Sequence, residues 1–153
     1  MMRTATILAT LVLMVTLSSG VALAAYADSI TGTDHTDILS GTGQSERISG
    51  LGGDDQLNGG GGPDLIKGGK GKDELGDGPG KDAVYGGRGA DNLIGQGGDT
   101  SADHFYGGGG DDLFQPRDVP AVKDFVGCGP GTDTVYADKA DVVGGDCERV
   151  NVR

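Results

Sequence analysis

Large apolar residues recur every nine positions, at Leu39, Ile48, Leu57, Ile66, Leu75, Val84 and Leu93, without a slip. Two residues ahead of each stands an acid: Asp37, Glu46, Asp55, Asp64, Asp73, Asp82 and Asp91. Glycine crowds the positions before the acid, most cleanly in Gly59-Gly60-Gly61-Gly62-Pro63-Asp64-Leu65-Ile66-Lys67. The unit is a nonapeptide of the form GGxGxDxUx, where U is large and apolar. It divides into a glycine-rich turn and a three-residue strand centred on the apolar residue. The turn needs glycine because the chain must take φ > 0 and pack backbone against backbone. So short a strand alternates little, and one side chain per repeat points inward. Strict register of this kind also argues against permanent disorder, the usual fate of acidic, glycine-rich chains.

Three copies fit the pattern throughout: Gly59–Lys67, Gly68–Gly76 and Gly86–Ile94. After Ile94 the period breaks by three residues: Gly95-Gln96-Gly97-Gly98-Asp99 opens a copy, Thr100-Ser101-Ala102 is inserted, and Asp103-His104-Phe105-Tyr106 closes it. Further copies are Gly107–Gln115, with Asp112 and Phe114, and Cys128–Tyr136. On these motifs the chain resembles the secreted RTX-type, haemolysin-type calcium-binding repeat proteins, over roughly two thirds of its length. Its tail resembles the closing segment of small exported calcium-binding proteins of bacteria.

That resemblance implies an all-β fold, a right-handed parallel β-roll (a β-helix solenoid) in which two repeats make one coil of 18 residues. Turns then alternate between two sides, and neighbouring coils lie about 4.8 Å apart. Acids 18 residues apart become neighbours: Asp37, Asp55, Asp73, Asp91 and, beyond the insertion, Asp112 on one side; Glu46, Asp64, Asp82 and Asp103 on the other. Carboxylates stacked this closely repel unless a cation lies between them. With backbone carbonyls they offer an all-oxygen shell that suits several Ca²⁺ ions better than Mg²⁺, while zinc prefers His and Cys. The expected metal ligands are Asp37, Asp55, Asp64, Asp73, Asp82, Asp91, Asp103 and Asp112. His35 and His104 read as solvated residues. The first two copies are degenerate, with His35 and Gln44 where glycine is wanted, and read as a capping coil.

Residues 1–27 have the layout of a secretory signal peptide: Arg3, an apolar run from Ile7 to Leu17, and small residues at Ala22-Leu23-Ala24 or Ala25-Tyr26-Ala27. The run is interrupted by Ser18-Ser19-Gly20, short of the about 20 residues that span a bilayer. Removing the leader takes away Arg3 alone, so 11 basic residues face 23 acidic ones, a formal net charge of −12. Such a chain repels nucleic acid and anionic lipid and attracts cations. Cys128 and Cys147, an even count in an exported chain, read as a disulfide. Their separation of 19 is nearly one coil, so the pair would close a C-terminal cap. The expected organisation is a leader (1–27), a calcium-binding roll (28–115), a linker broken by Pro116 and Pro120 (116–127) and a disulfide-linked terminal coil (128–153).

Catalysis is not indicated. No Gly-x-Ser-x-Gly elbow and no His-Glu-x-x-His occurs, and neither Gly71-Lys72 nor Gly80-Lys81 continues into a P-loop. The expected function is that of an exported calcium-binding repeat protein, located outside the cell, that folds as it binds calcium. The alternatives are a surface adhesion module whose Tyr85, Tyr106 and Tyr136 meet a partner, and, further off, a fragment of a secreted calcium-dependent hydrolase. The sequence names no protein or carbohydrate partner.

Overall fold

A computed structural model describes residues 28–96, 100–117 and 121–153. The expected leader, 1–27, lies outside the described residues, as do 97–99, just before the first insertion, and 118–120. The strands, in chain order, are β1 (Asp28–Thr31), β2 (Ile38–Ser40), β3 (Glu46–Gly52), β4 (Gln56–Asn58), β5 (Leu65–Lys70), β6 (Glu74–Gly76) and β7 (Ala83–Arg88). They continue with β8 (Asn92–Ile94), β9 (His104–Gly109), β10 (Leu113–Gln115), β11 (Phe125–Gly127), β12 (Thr134–Ala137), β13 (Val142–Val143) and β14 (Arg149–Val152).

Odd-numbered strands form one seven-stranded sheet and even-numbered strands a second, each ordered by sequence. All pairings are parallel. The chain thus crosses from one sheet to the other at every turn, and two strands with two turns complete one coil of a parallel β-solenoid. The register carries the expected period: Leu39 lies beside Leu57 and Ile48 beside Ile66. Past the insertion the coil widens to 21 residues, with Val84 beside Phe105 and Leu93 beside Phe114.

Each strand from β2 to β12 sends one large apolar side chain inward. Ile48, Ile66, Val84, Phe105 and Val126 face Leu39, Leu57, Leu75, Leu93, Phe114 and Val135, all buried, in a core one residue deep from each sheet. The two buried phenyl rings sit where the coils are longest. The stretch 116–127, expected to be a linker, carries β11 in its last three residues, and β11 pairs with β9 and β13. The roll therefore runs through this segment. A second three-residue insertion, before Asp124, repeats the first one coil later, so the longer turns fall on the same edge.

The C-terminal coil continues the same two sheets through β12, β13 and β14. Cys128 and Cys147 are joined, with their Cα atoms 5.3 Å apart. Cross-linking a loop of this size contributes about 3 kcal/mol in the chain-entropy model.

Turn geometry explains why glycine is favoured at the second position of the repeat. Gly60, Gly69, Gly78, Gly87, Gly108 and Gly129 all have φ between 88° and 123° or close to that range, and Leu51, at the same position, has φ 77°. An L-residue in this region costs about 1–2 kcal/mol. Leu51 is half exposed, at 46%, so its side chain recovers little of that by burial. Leu51→Gly should stabilise the folded protein by about 0.5–1 kcal/mol, net of glycine's greater unfolded entropy. Gly69→Ala, whose new Cβ would strike the Leu51 carbonyl, should destabilise it by about 1–3 kcal/mol. Chemical denaturation at saturating calcium measures both; a destabilised Leu51→Gly variant would overturn the strain argument.

Candidate metal centre

The acid two residues ahead of each inward apolar side chain lies at the end of the turn, where the backbone enters the strand. Its side chain therefore points into the turn and along the roll axis. On one edge the N–H of Asp37 donates to Oδ1 of Asp55 at 2.8 Å, that of Asp55 to Asp73 at 2.9 Å, and that of Asp73 to Asp91 at 2.9 Å. The column continues from Asp91 to Asp112 at 2.8 Å, from Asp112 to Asp133 at 2.7 Å, and from Asp133 to Glu148 at 2.9 Å. On the other edge the same bond links Glu46 to Asp64, Asp64 to Asp82 and Asp82 to Asp103, each at 2.7 Å, then Asp103 to Asp124 at 2.9 Å and Asp124 to Asp141 at 3.2 Å.

The two columns hold the acids in the order expected from an 18-residue coil, and each is longer than expected. Asp124 and Asp141 extend one, Asp133 and Glu148 the other. Asp124-Phe125-Val126 repeats the acid–x–apolar step of Asp103-His104-Phe105, and that triplet was the available signal. Glu148-Arg149-Val150 repeats it again at a shorter spacing.

One oxygen of each carboxylate reached from the preceding coil is thus taken by a backbone donor, and at seven of these acids the other has no partner. Among the described residues, the buried side-chain polar atoms without a hydrogen-bond partner are Oδ2 of Asp55, Asp64, Asp73, Asp82, Asp91, Asp112 and Asp133. Leaving even one charged oxygen so placed costs several kcal/mol, and here the defect recurs at seven turns. The space in front of Oδ2 is bounded by oxygen. A Cβ built on Gly86 would stand 2.5 Å from Oδ2 of Asp91 and 2.6 Å from the carbonyl oxygen of Gly107 in the next coil. Gly50 would meet Oδ2 of Asp55 and the Gly68 carbonyl in the same way, and Gly68 those of Asp73 and Gly86. Glycine leaves open a cradle lined by carboxylate and carbonyl oxygens, a donor set that fits a hard cation such as Ca²⁺.

Asp37 and Glu46 differ from those seven. Oδ2 of Asp37 accepts the N–H of Thr33 at 2.5 Å and its hydroxyl at 2.9 Å. In Glu46, Oε2 accepts the Thr42 N–H at 3.1 Å and Oε1 the Thr42 hydroxyl at 2.6 Å. Threonine stands at the second position of these two repeats, and its donors satisfy the carboxylate from within the turn. Of the eight expected ligands, six (Asp55, Asp64, Asp73, Asp82, Asp91 and Asp112) keep an unpartnered second oxygen, and Asp37 does not.

Burial sets the electrostatics. Desolvation pushes the carboxyl of Asp82 up to about 8, against the pull of the Asp64 N–H and with added repulsion from Asp103, Asp77 and Asp64. Desolvation likewise raises Asp112 to about 7 and Asp55 and Asp64 to about 6. Asp73, Asp91 and Asp133 are raised for the same leading reason. Asp77, which was not expected at the site, is buried with Asp82 and Asp103; carboxylate oxygens of the three lie within 4.8 Å of one another.

Compared with known proteins, residues 24–45, 40–75 and 77–114 match the family model of the RTX calcium-binding nonapeptide repeat, which spans four copies. Members of that family bind Ca²⁺ between coils. No curated protein matches the chain.

The raised carboxyls give the metal-free roll a defined pH response. An unfolded chain ionises these acids near 3.8, and the roll does so near 6 to 8. Below the unfolded value the acids are protonated in both states and the roll keeps its full stability. As pH climbs through the folded values, the roll must ionise groups away from water, and stability is lost. In chelator, the β signal in circular dichroism should be stronger at about pH 5 than at about pH 8, and calcium should restore it at the higher pH. A metal-free roll that is more stable at the higher pH would contradict the burial of these acids.

Proposed function

The chain belongs to the RTX calcium-binding nonapeptide-repeat family, and on that premise we propose that it is an exported protein whose glycine–aspartate turns take up several Ca²⁺ ions between successive coils, and that the roll folds as they bind. The observation that carries this reading is the file of unpartnered Oδ2 atoms at Asp55, Asp64, Asp73, Asp82, Asp91, Asp112 and Asp133. Asp103, which lies in the same column between Asp82 and Asp124, completes the ligand set. Asp37 and Glu46 close the first coil without metal. Bound calcium supplies the positive charge that the buried carboxylates lack, and it is withheld from the unfolded chain because the cradle exists only when coils are stacked.

Export is supported by the leader-like layout of 1–27 and by the Cys128–Cys147 bridge, which persists in an oxidising compartment. Among the described residues, no helix is long and apolar enough to cross a membrane. The role is binding; the buried acids repeat along the roll as ligands do, where catalysis asks for one differentiated pair.

Titration of the mature chain with calcium, followed by circular dichroism and calorimetry, tests the reading. A transition from disorder to β structure with about five to seven ions bound is expected; fewer than three would overturn the continuous file of sites. Asp73→Ala removes a ligand shared by two adjacent coils, so it should lower the number of ions bound and raise the calcium midpoint by about tenfold or more. Glu46→Ala should leave the number unchanged. Equal titrations for Asp73→Ala and the parent would show that these acids are not ligands.

A second reading, adhesion, is favoured by the outer face of the odd-numbered sheet. Although the chain is strongly acidic, the outward positions of β3, β5, β7, β9 and β11 carry no acid. They carry Arg47, Lys67, Lys70 and Arg88, with Lys70 directly beside Arg88 in register, a like-charge pair that calls for an anion. Beside them Tyr85 stacks on Tyr106 with centroids 4.9 Å apart, and His104 on Phe125 at 4.8 Å. Flat exposed rings flanked by cations suit the sugar faces and carboxylates of an acidic polysaccharide. Immobilised uronate polymer should retain the calcium-loaded protein and a neutral polymer should not. The double variant Lys70→Glu/Arg88→Glu should lose retention with its calcium titration unchanged; retention that survives the charge reversal would mean that calcium bridging, not this face, makes the contact.

A further inference from the structure

Every complete repeat from Gly32 to Ile94 begins with glycine except one, which begins with Asp77. Side chains at this position have one place to go. A Cβ on Gly59 would stand 2.6 Å from Oδ2 of Asp64, and one on Gly86 2.5 Å from Oδ2 of Asp91, in each case the acid five residues on in the same repeat. At Asp77 the acid five residues on is Asp82. Asp77 is buried at 1% exposure and Asp82 at 2%. Backbone donors anchor Oδ1 of Asp77: the N–H of Gly78 at 2.5 Å and that of Gln96, in the next coil, at 2.7 Å. Asp82 has its Oδ1 held by the Asp64 N–H, while its Oδ2 has no partner at all. Asp103 comes in from the following coil through its own bond to the Asp82 N–H, and the three carboxylates converge within 4.8 Å.

We propose that Asp77, Asp82 and Asp103 form a distinct cation site, richer in charge by one carboxylate than the turns around it, which takes Ca²⁺ ahead of the other sites and sets where the roll begins to order. The proposal rests on the calcium-binding reading above and adds to it an unequal loading order. Affinity of an oxygen site for calcium rises with the number of charged ligands and with their rigidity. Here the charge is higher and the rigidity is kept: three carboxylates meet, and each has one oxygen fixed by a backbone donor. The site also lies mid-roll, between β5, β7 and β9, the strands with the longest ladders. In a stacked array the first ordered coil templates its neighbours on both sides, so a central first site reaches both ends in the fewest steps.

Calorimetric titration of the mature protein with calcium tests this, because the informative variant restores the glycine found in neighbouring repeats. The parent should show one ion bound at least about tenfold more tightly than the remainder. Asp77→Gly should remove that tight class and leave the weaker class and the final β content in place. Asp77→Asn keeps an oxygen to accept from Gly78 and Gln96 but lacks the charge, and it should lose the tight class as well. If Asn retains the tight class and Gly loses it, Asp77 acts only by bonding the Gln96 N–H, and the proposal falls. If both variants titrate like the parent, it falls outright. Failure of the parent to bind any calcium would instead remove the underlying functional reading.

Discussion

In each interior turn a backbone N–H from one coil reaches the carboxylate of the next, and this bond decides much else. It ties coil to coil at the turn, beside the backbone bonds that link successive turns. It also fixes the acid's side chain inside the turn, with Oδ1 occupied and Oδ2 facing into the cradle rather than into water. A carboxylate in that position cannot be solvated, and the acids above and below it have the same difficulty. The repulsion is therefore built into the feature that aligns the coils. Asparagine would preserve the bond and relieve the charge; that the chain uses aspartate at nearly every turn is explained by a cation that makes the charge useful.

The core makes this dependence unavoidable. A nonapeptide buries one large apolar side chain, while all nine residues must be ordered, and the glycines among them lose the most freedom on folding. Phe105 and Phe114 add bulk only where the coil is widest. Shape alone is thus a weak source of stability. The glycines that weaken the roll are the same ones that open the cradle: an added Cβ at Gly50 or Gly86 would occupy the space in front of Oδ2. Loss of intrinsic stability and gain of a binding site are two consequences of one residue choice.

Most of this was legible in the sequence because the spacing is strict. Pairing Asp55 with Asp73, or Asp82 with Asp103 across the first insertion, follows from counting. What was not legible shows which part of the repeat carries the register. Asp124 lies in a turn without the glycine pattern, after Ala121-Val122-Lys123, yet it holds its place in the column because Phe125-Val126 still delivers one apolar side chain to the core. The acid–x–apolar triplet is sufficient when the turn is long enough to adapt; the glycines are needed only in the tightest turns. Asp77 is hidden in the sequence for the opposite reason. It stands where glycine belongs and looks like a defect, and only the fold shows that a side chain there points at Asp82.

The two ends of the roll meet the same electrostatic problem in different ways. At the first coil, Thr33 and Thr42 replace glycine and donate to Asp37 and Glu46, so these acids find within their own turns what interior acids lack. At the other end the spacing shortens to 17 and then 15 residues, the strands become exposed, and the Cys128–Cys147 bridge holds the last coil covalently. Beside that bridge Asp146 accepts the Gly129 N–H at 2.9 Å, and hydrogen bonds to backbone donors lower its carboxyl rather than raise it. Demand for a cation is therefore least at the termini and greatest inside, where burial pushes Asp82 to about 8. The proposed loading order follows this gradient, from the buried middle outward, while the ends are closed by contacts that do not depend on the ion.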